Sequence, residues 1–291
     1  MNNKNYPALF QSADKASRQA QTKYIIINLS YIILIILAIF CELLSMYYNV
    51  ISIVSTILFI TALVLLIIMI TKKYENNRYA YRTLAESVKA ATWRFMMYTK
   101  PYNRSNDLTE VKTRFRNLLR NIIRQNNIIT NYINGKYSEK KQITQKMLDM
   151  RNISFKERKK IYVNHRIENQ IKQYSKKYVL NKNRTFTGFI IVVFCNVLAI
   201  IFTLIKIFNG NEQFFSINIL VIIVAVSTLT WIHLKKYQEL ACSYNLAAHE
   251  IEVIKGYSEE IKTEKEFSDF VINAERAFSR EYTQWVVNKI N

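Results

Sequence analysis

Four blocks of about twenty apolar residues, set in two close pairs, constrain this chain more than any other feature. They run Tyr24–Leu44, Val50–Ile70, Phe186–Ile207 and Phe214–Leu234. At roughly 1.5 Å rise per residue, a helix of that length crosses a hydrocarbon layer about 30 Å thick. One such run fits inside a soluble core; four are hard to bury in 291 residues. A short polar break separates the two members of each pair, so each pair reads as a helical hairpin. The mean hydropathy of −0.03 conceals them because the rest of the chain is strongly polar.

Charge orients these hairpins. Between Thr71 and Thr185 there are 28 Lys and Arg against eight Asp and Glu, while the two turns inside the pairs carry almost no positive charge. Cytoplasmic loops concentrate Lys and Arg, which places both termini and the long middle segment in the cytoplasm and the turns outside. The first apolar block follows a polar arm with Asp14, Lys15 and Arg18 and lacks a small-residue cleavage site, so it reads as retained rather than as a signal peptide. The expected fold class is an all-α integral membrane protein with two transmembrane helical hairpins and extended cytosolic helical stems.

The stems carry an internal echo. Lys72-Lys73-Tyr74 recurs 163 positions later as Lys235-Lys236-Tyr237, Tyr81 as Tyr244 and Ala85 as Ala248, each following an apolar pair. This is the pattern of a duplicated hairpin and stem. With no Gly or Pro between Ile70 and Pro101, one helix of about 45 residues is expected from span to stem, ended by the proline. Asp107 with Glu110 forms a cap for a helix carrying Val111, Phe115 and Leu119. A shorter piece follows around Met147 and Met150, and the Ser154 to Glu157 capping box opens a helix running toward the membrane near Phe186. Gly256 loosens the second stem, and the Thr263 to Glu266 box opens a last helix with Phe267, Phe270, Ala274, Phe278 and Trp285 on one face. The resulting division is 1–103, a two-transmembrane module with stem; 104–177, a basic helical region; and 178–291, a second module.

Enzyme chemistry finds no support. His165, His233 and His249 do not share a metal-ligand spacing, and Cys41, Cys195 and Cys242 form neither a disulfide framework nor a paired metal motif. There is no P-loop, serine elbow or dinucleotide glycine motif. The expectation is a non-enzyme without cofactors. Basic residues at the cytoplasmic leaflet attract anionic inner-leaflet lipids, by roughly 1 kcal/mol per close charge. Nucleic acid is disfavoured, because the basic segment carries no recognition signature and its aromatics fall at core spacing.

Polar residues inside the spans are the candidates for transport or helix pairing. Asn28, Glu42, Asn196 and Thr203 stand out, and for each a pore lining competes with an interhelix bond or an interfacial role. Tyr81, Trp93, Tyr244, Phe267, Phe278 and Trp285 are the candidates for stem packing or an oligomer interface, with Arg280 and Glu281 as a possible ion pair across it.

The paired spans, the Tyr81–Trp93 stem and the C-terminal pattern through Tyr244, Ala248, Glu250, Phe267, Glu275, Ser279-Arg280-Glu281 and Trp285 resemble the SLATT family, two-transmembrane domains associating with SMODS nucleotide synthetases and SLOG sensors. The resemblance implies a fusion of two such modules, acting as a membrane effector in bacterial antiphage defence. Such an effector would oligomerise in the inner membrane to form a gated pore or perturb the bilayer, in answer to a nucleotide signal or a separately encoded sensor. The competing reading is a non-conducting scaffold or receptor that recruits a cytosolic partner through the basic helices.

Overall fold

The computed structural model describes residues 2–45, 50–72, 74–103, 107–125, 140–209 and 213–290, with side-chain surroundings left out for 209, 213–215 and 279–290. Among the described residues the regular structure is entirely helical. After a short 3-10 turn at Asn3–Asn5 come α1 (Ala8–Ser45), α2 (Val50–Lys72), α3 (Tyr74–Met96), α4 (Leu108–Gln125), α5 (Gln145–Asn152) and α6 (Phe155–Tyr162). A π-helical turn at Val163–Ile167 leads into α7 (Glu168–Asn209), α8 (Gln213–Lys235), α9 (Tyr237–Tyr257) and α10 (Glu264–Ile290). Two compact units result. A stem unit holds Met1–Thr22, Tyr74–Tyr174 and Leu246–Asn291, and a span unit holds Lys23–Lys73 and Ser175–Asn245.

The stem unit is built around α3. Its apolar stripe of Tyr81, Leu84, Ala85, Val88, Ala91 and Phe95 recurs every three or four residues and is buried. Against it pack α10, α4 and α5. α10 contributes Phe267, Val271, Ala274 and Phe278 on one face, and α4 contributes Val111, Phe115 and Leu119. The N-terminal arm, whose apolar face looks weak in sequence, is packed into this unit through Tyr6, Ala8, Leu9, Phe10 and Ala13. The hydrogen bonds that hold it include Trp93 Nε1 to the Tyr6 hydroxyl at 3.0 Å, Thr144 Oγ1 to the Asn5 carbonyl at 2.9 Å, and the Leu9 amide to Gln142 Oε1 at 3.1 Å.

Helix ends follow the local chemistry. The Ser154 box closes reciprocally with Glu157, and Thr263 and Glu266 exchange the same pair of bonds at the start of α10. Thr144, not singled out in sequence, caps α5 through the Met147 amide. At α4 Asp107 Oδ1 accepts from the Thr109 amide, and Glu110 pairs with Arg114 one turn along. α3 stops at Met96, ahead of Pro101, where Tyr98 takes a left-handed φ of 58°. The second left-handed residue is Lys236, at φ 50°, which separates α8 from α9 where the sequence shows no Gly or Pro. The backbone therefore takes a local bend between α8 and α9. A turn closes it, with the Lys236 amide donating to the His233 carbonyl at 3.1 Å and the Lys236 carbonyl accepting from Leu240 at 2.9 Å.

In the span unit α1 and α2 form the first hairpin, and α7 and α8 the second. All four candidate spans lie in helices long and apolar enough to cross a membrane. Their surface is the reverse of a soluble protein's, with Ile53, Ile57, Leu63, Val193, Phe194 and Ile200 among many large apolar side chains left exposed. A contiguous apolar surface of this kind belongs against lipid, and the chain is a multi-pass membrane protein. Most of what the span unit buries is small, namely Ala38, Ser55, Ala62, Cys195, Ala225 and Ala241, with Asn28, Asn181 and Ile232 beside them. Lipid tails supply no hydrophobic drive for helix pairing, so close backbone approach has to supply it. Gly188 is the sharpest case, since a Cβ there would lie 2.5 Å from Ile232 Cδ1 on α8.

Candidate functional site

Among the described residues, a polar side-chain pair near the turn bridges the two helices of each hairpin. In the first, Ser55 Oγ on α2 donates to the Glu42 carboxylate on α1. In the second, Asn218 Nδ2 on α8 donates to Thr203 Oγ1 on α7 at 2.9 Å. Hydroxyl and amide groups facing hydrocarbon are stabilised by any partner within reach, and these pairs set the register of the hairpins. Glu42 is exposed but Ser55 is fully buried, so the bond anchors a carboxylate beside the helix contact. Neither Ser55 nor Asn218 stands out in the sequence, because each looks like an isolated polar residue until the turn brings its partner opposite.

The two span asparagines differ in surroundings. Asn28 is buried, and its Nδ2 donates to the Tyr24 carbonyl one turn back at 2.7 Å. Asn196 makes the same intrahelical bond to Val192, at 2.8 Å, yet remains exposed at the midpoint of the third apolar block. It opens onto a cleft of about 180 Å³ between α7 and α8, walled by Val192, Cys195, Ala199, Ala225 and Leu229.

Of the stem candidates, Tyr81, Trp93, Phe267 and Phe278 are buried inside the stem unit. Tyr162 lies edge-on to Trp93 and to Phe267, at 5.7 and 6.1 Å. Tyr244 is half-buried, with Lys177 Nζ 4.8 Å above its ring. The side chains of Arg280, Glu281 and Trp285 lie outside the described residues.

Behind these aromatics lies an ionic core. Arg166, in the π-helical turn, meets Glu275 of α10 through two charge-assisted hydrogen bonds of 2.8 and 2.7 Å, both side chains only 2 % exposed. The Tyr162 hydroxyl donates to the same carboxylate at 3.0 Å. Burial works against the Arg166 charge, but the adjacent Glu275 carboxylate more than offsets it and holds the guanidinium above its ordinary pKa. Burial, then Glu275, pushes the Tyr162 phenol well up. The π-turn directly precedes α7, the helix that continues into the third span.

A second buried group lies on α3. Glu86 binds Arg82 at 2.7 Å, and Arg82 also reaches Asp14 of α1 at 3.1 Å. Lys89 stands 3.9 Å from Glu86 and is mostly enclosed, so burial lowers its pKa from the ordinary 10.5 to about 8 against the pull of Glu86. Two further buried arginines brace helix ends. Arg151 donates to the carbonyls of Phe95 and Tyr102, at 3.0 and 2.6 Å, and lies over the Tyr98 ring at 4.3 Å. Arg158 donates to the Arg151 carbonyl and pairs with Glu264. Cations at a helix C-terminus satisfy its free carbonyls and complement its dipole.

The ionic core had one legible signal. Glu275 lies between Val271, Ala274 and Phe278 at helical spacing, a core position, and a carboxylate there demands a buried cation. Arg166 carries no comparable mark among the many cations of the middle segment. Among the described residues no group of three or more His, Cys, Asp or Glu is placed to hold a metal.

Two outcomes follow from this core. Glu275→Ala leaves Arg166 buried and unpaired, and is expected to cost about 3–5 kcal/mol of stem stability in denaturant titrations. An Arg166→Met, Glu275→Leu double variant recovers most of that loss. Lys89 binds its proton less tightly when folded, so between about pH 8 and 10 the unfolded chain holds more protons than the folded one. Stability therefore rises with pH across that window, and Lys89→Met removes the rise in thermal melts taken from pH 7 to 10.

Comparison with known families places these hairpins and stems. Residues 7–159 match the model of SMODS and SLOG-associating 2TM effector domain 3, and residues 162–285 match that of SMODS and SLOG-associating 2TM effector domain 1. No curated protein and no solved structure gave a match. The first match alone spans more than half of the chain, the second takes up nearly all the rest, and the protein belongs to the SLATT family of non-catalytic membrane effector domains, with two modules in tandem.

Proposed function

We propose that this chain is a bacterial antiphage effector which oligomerises in the inner membrane and opens a gated pore. SLATT domains are two-transmembrane effector modules of defence systems, and the tandem supplies four spans per subunit. Four spans are too few to enclose a pore, so conduction requires assembly. The observation that carries the reading is the exposed Asn196 amide at mid-span, beside a cleft otherwise walled by apolar side chains. Hydrocarbon offers such a group no hydrogen-bond partner, whereas a water-filled lumen does. Asn196 is thus the first lining residue to test. Thr203, Glu42 and Asn28 lie on the same two outgoing helices, each already bonded to another residue.

Both termini and the basic region lie in the cytoplasm in this reading, with modules at 1–103 and 178–291 joined by 104–177. Anionic lipids hold the cationic stems at the inner leaflet. A nucleotide signal or a separately encoded sensor acts as the trigger, in keeping with the association that the family description records. Its point of action is the stem unit, where the Arg166–Glu275 pair joins α10 to the turn that precedes α7.

Ion and dye release from liposomes containing the purified protein tests this, with candidate nucleotides and with lysate from phage-infected cells. Stimulated release is expected, and Asn196→Leu changes its rate or ion preference severalfold without altering insertion. Unchanged release by that variant would remove Asn196 from the lumen, and silence of the wild type under every condition would favour a recruiting scaffold.

A further inference from the structure

Among the described residues, α4 and the Leu246–Tyr257 part of α9 in the stem unit present unpaired outer faces of opposite character. On α4, opposite the buried Val111, Phe115 and Leu119, Arg116, Arg120 and Arg124 lie in one row at intervals of four residues, all exposed. The row is about 12 Å long at the helical rise, and none of the three arginines has an acidic partner among the described residues. On α9, Leu246, Glu250, Val253 and Tyr257 lie in one row at spacings of four, three and four. Leu246 is 71 % exposed, Val253 62 % and Tyr257 60 %. Glu250 sits in the middle of that row, Glu259 and Glu260 follow its end, and all three carboxylates are exposed and without a basic partner among the described residues.

A large apolar row in the aqueous part of a protein calls for a cover. Lipid is a poor cover here, because Glu250, Glu259 and Glu260 would meet an anionic leaflet with like charge. What fits is a protein surface that is cationic and has apolar stems to lay across Leu246 and Val253. Arginine provides both, since its methylenes cover apolar surface while the guanidinium reaches a carboxylate or stacks on a tyrosine ring.

We propose that α4 of one copy docks on the Leu246–Tyr257 face of α9 in a second copy. Arg116, Arg120 and Arg124 then meet Glu250, Glu259 and Glu260, with one arginine against the Tyr257 ring. Two different patches join, so every copy carries both halves of the contact, and repetition adds copies head to tail, closing into a ring where the rotation between neighbours allows it. The inference rests on the oligomeric reading above and names the surface that would bring the subunits together.

Charge reversal tests it on the full chain in detergent or lipid nanodiscs, with subunit number read by native mass spectrometry. Arg116→Glu with Arg120→Glu and Arg124→Glu, or Glu250→Arg with Glu259→Arg and Glu260→Arg, is expected to weaken assembly about tenfold or more, the sum of several exposed pairs and the new repulsion. The six-substitution combination restores it, which also rules out misfolding as the cause. Assembly of the wild type weakens with added salt. A wild-type oligomer unchanged by either reversal overturns the interface and leaves the effector reading standing. A monomeric wild type overturns both the interface and the assembled pore. If the α4 reversal instead releases the protein's stem from anionic vesicles at unchanged subunit number, the arginine row is a lipid surface and the proposal fails. Liposome release measured on the same preparations separates failure of the interface from failure of the pore.

Discussion

Hydrocarbon provides no hydrogen bonds, and from that constraint most of this structure follows. Each span has to satisfy its backbone internally, which makes it a helix, and the chain reaches the membrane as closed helices of more than twenty residues. The same constraint makes every polar side chain in the spans conspicuous. Ser55 with Glu42, and Asn218 with Thr203, resolve it inside the chain, and each pair fixes one hairpin. Asn196 resolves it only halfway, through a bond within its own helix, and is left facing outward.

The stem unit obeys the opposite rule. Charged side chains ordinarily stay at the surface, yet Arg166, Glu275, Glu86, Arg151 and Arg158 are all buried. Paired charges in a core add little net stability but punish any rearrangement that separates them. Arg166 sits in the π-turn that leads directly into α7, so the pair ties α10 to the start of that helix.

Much of this was legible in the residues. The four spans, the Ser154 and Thr263 boxes and the α3 stripe all follow from period and composition, because each depends on neighbours within a turn or two. The bend at Lys236 was not legible, since a lysine carries no signal for a left-handed backbone. Nor was the burial of the N-terminal arm, whose face is weak by itself and is completed by Trp93 and Gln142 from distant segments. The ionic core was half legible: Glu275 occupies an apolar helical face, but its partner is one of 28 cations between Thr71 and Thr185 and is identified by tertiary placement alone. Asn218 stayed hidden for the same reason, its role depending on the residue that the hairpin sets opposite.

Single-channel recording across planar bilayers bears most directly on the central claim, that this tandem of hairpins conducts when triggered. With lysate from phage-infected cells on the stem side, the account predicts discrete current steps of uniform size. A bilayer that stays silent with correctly inserted protein, or one that leaks without steps, would contradict a gated pore.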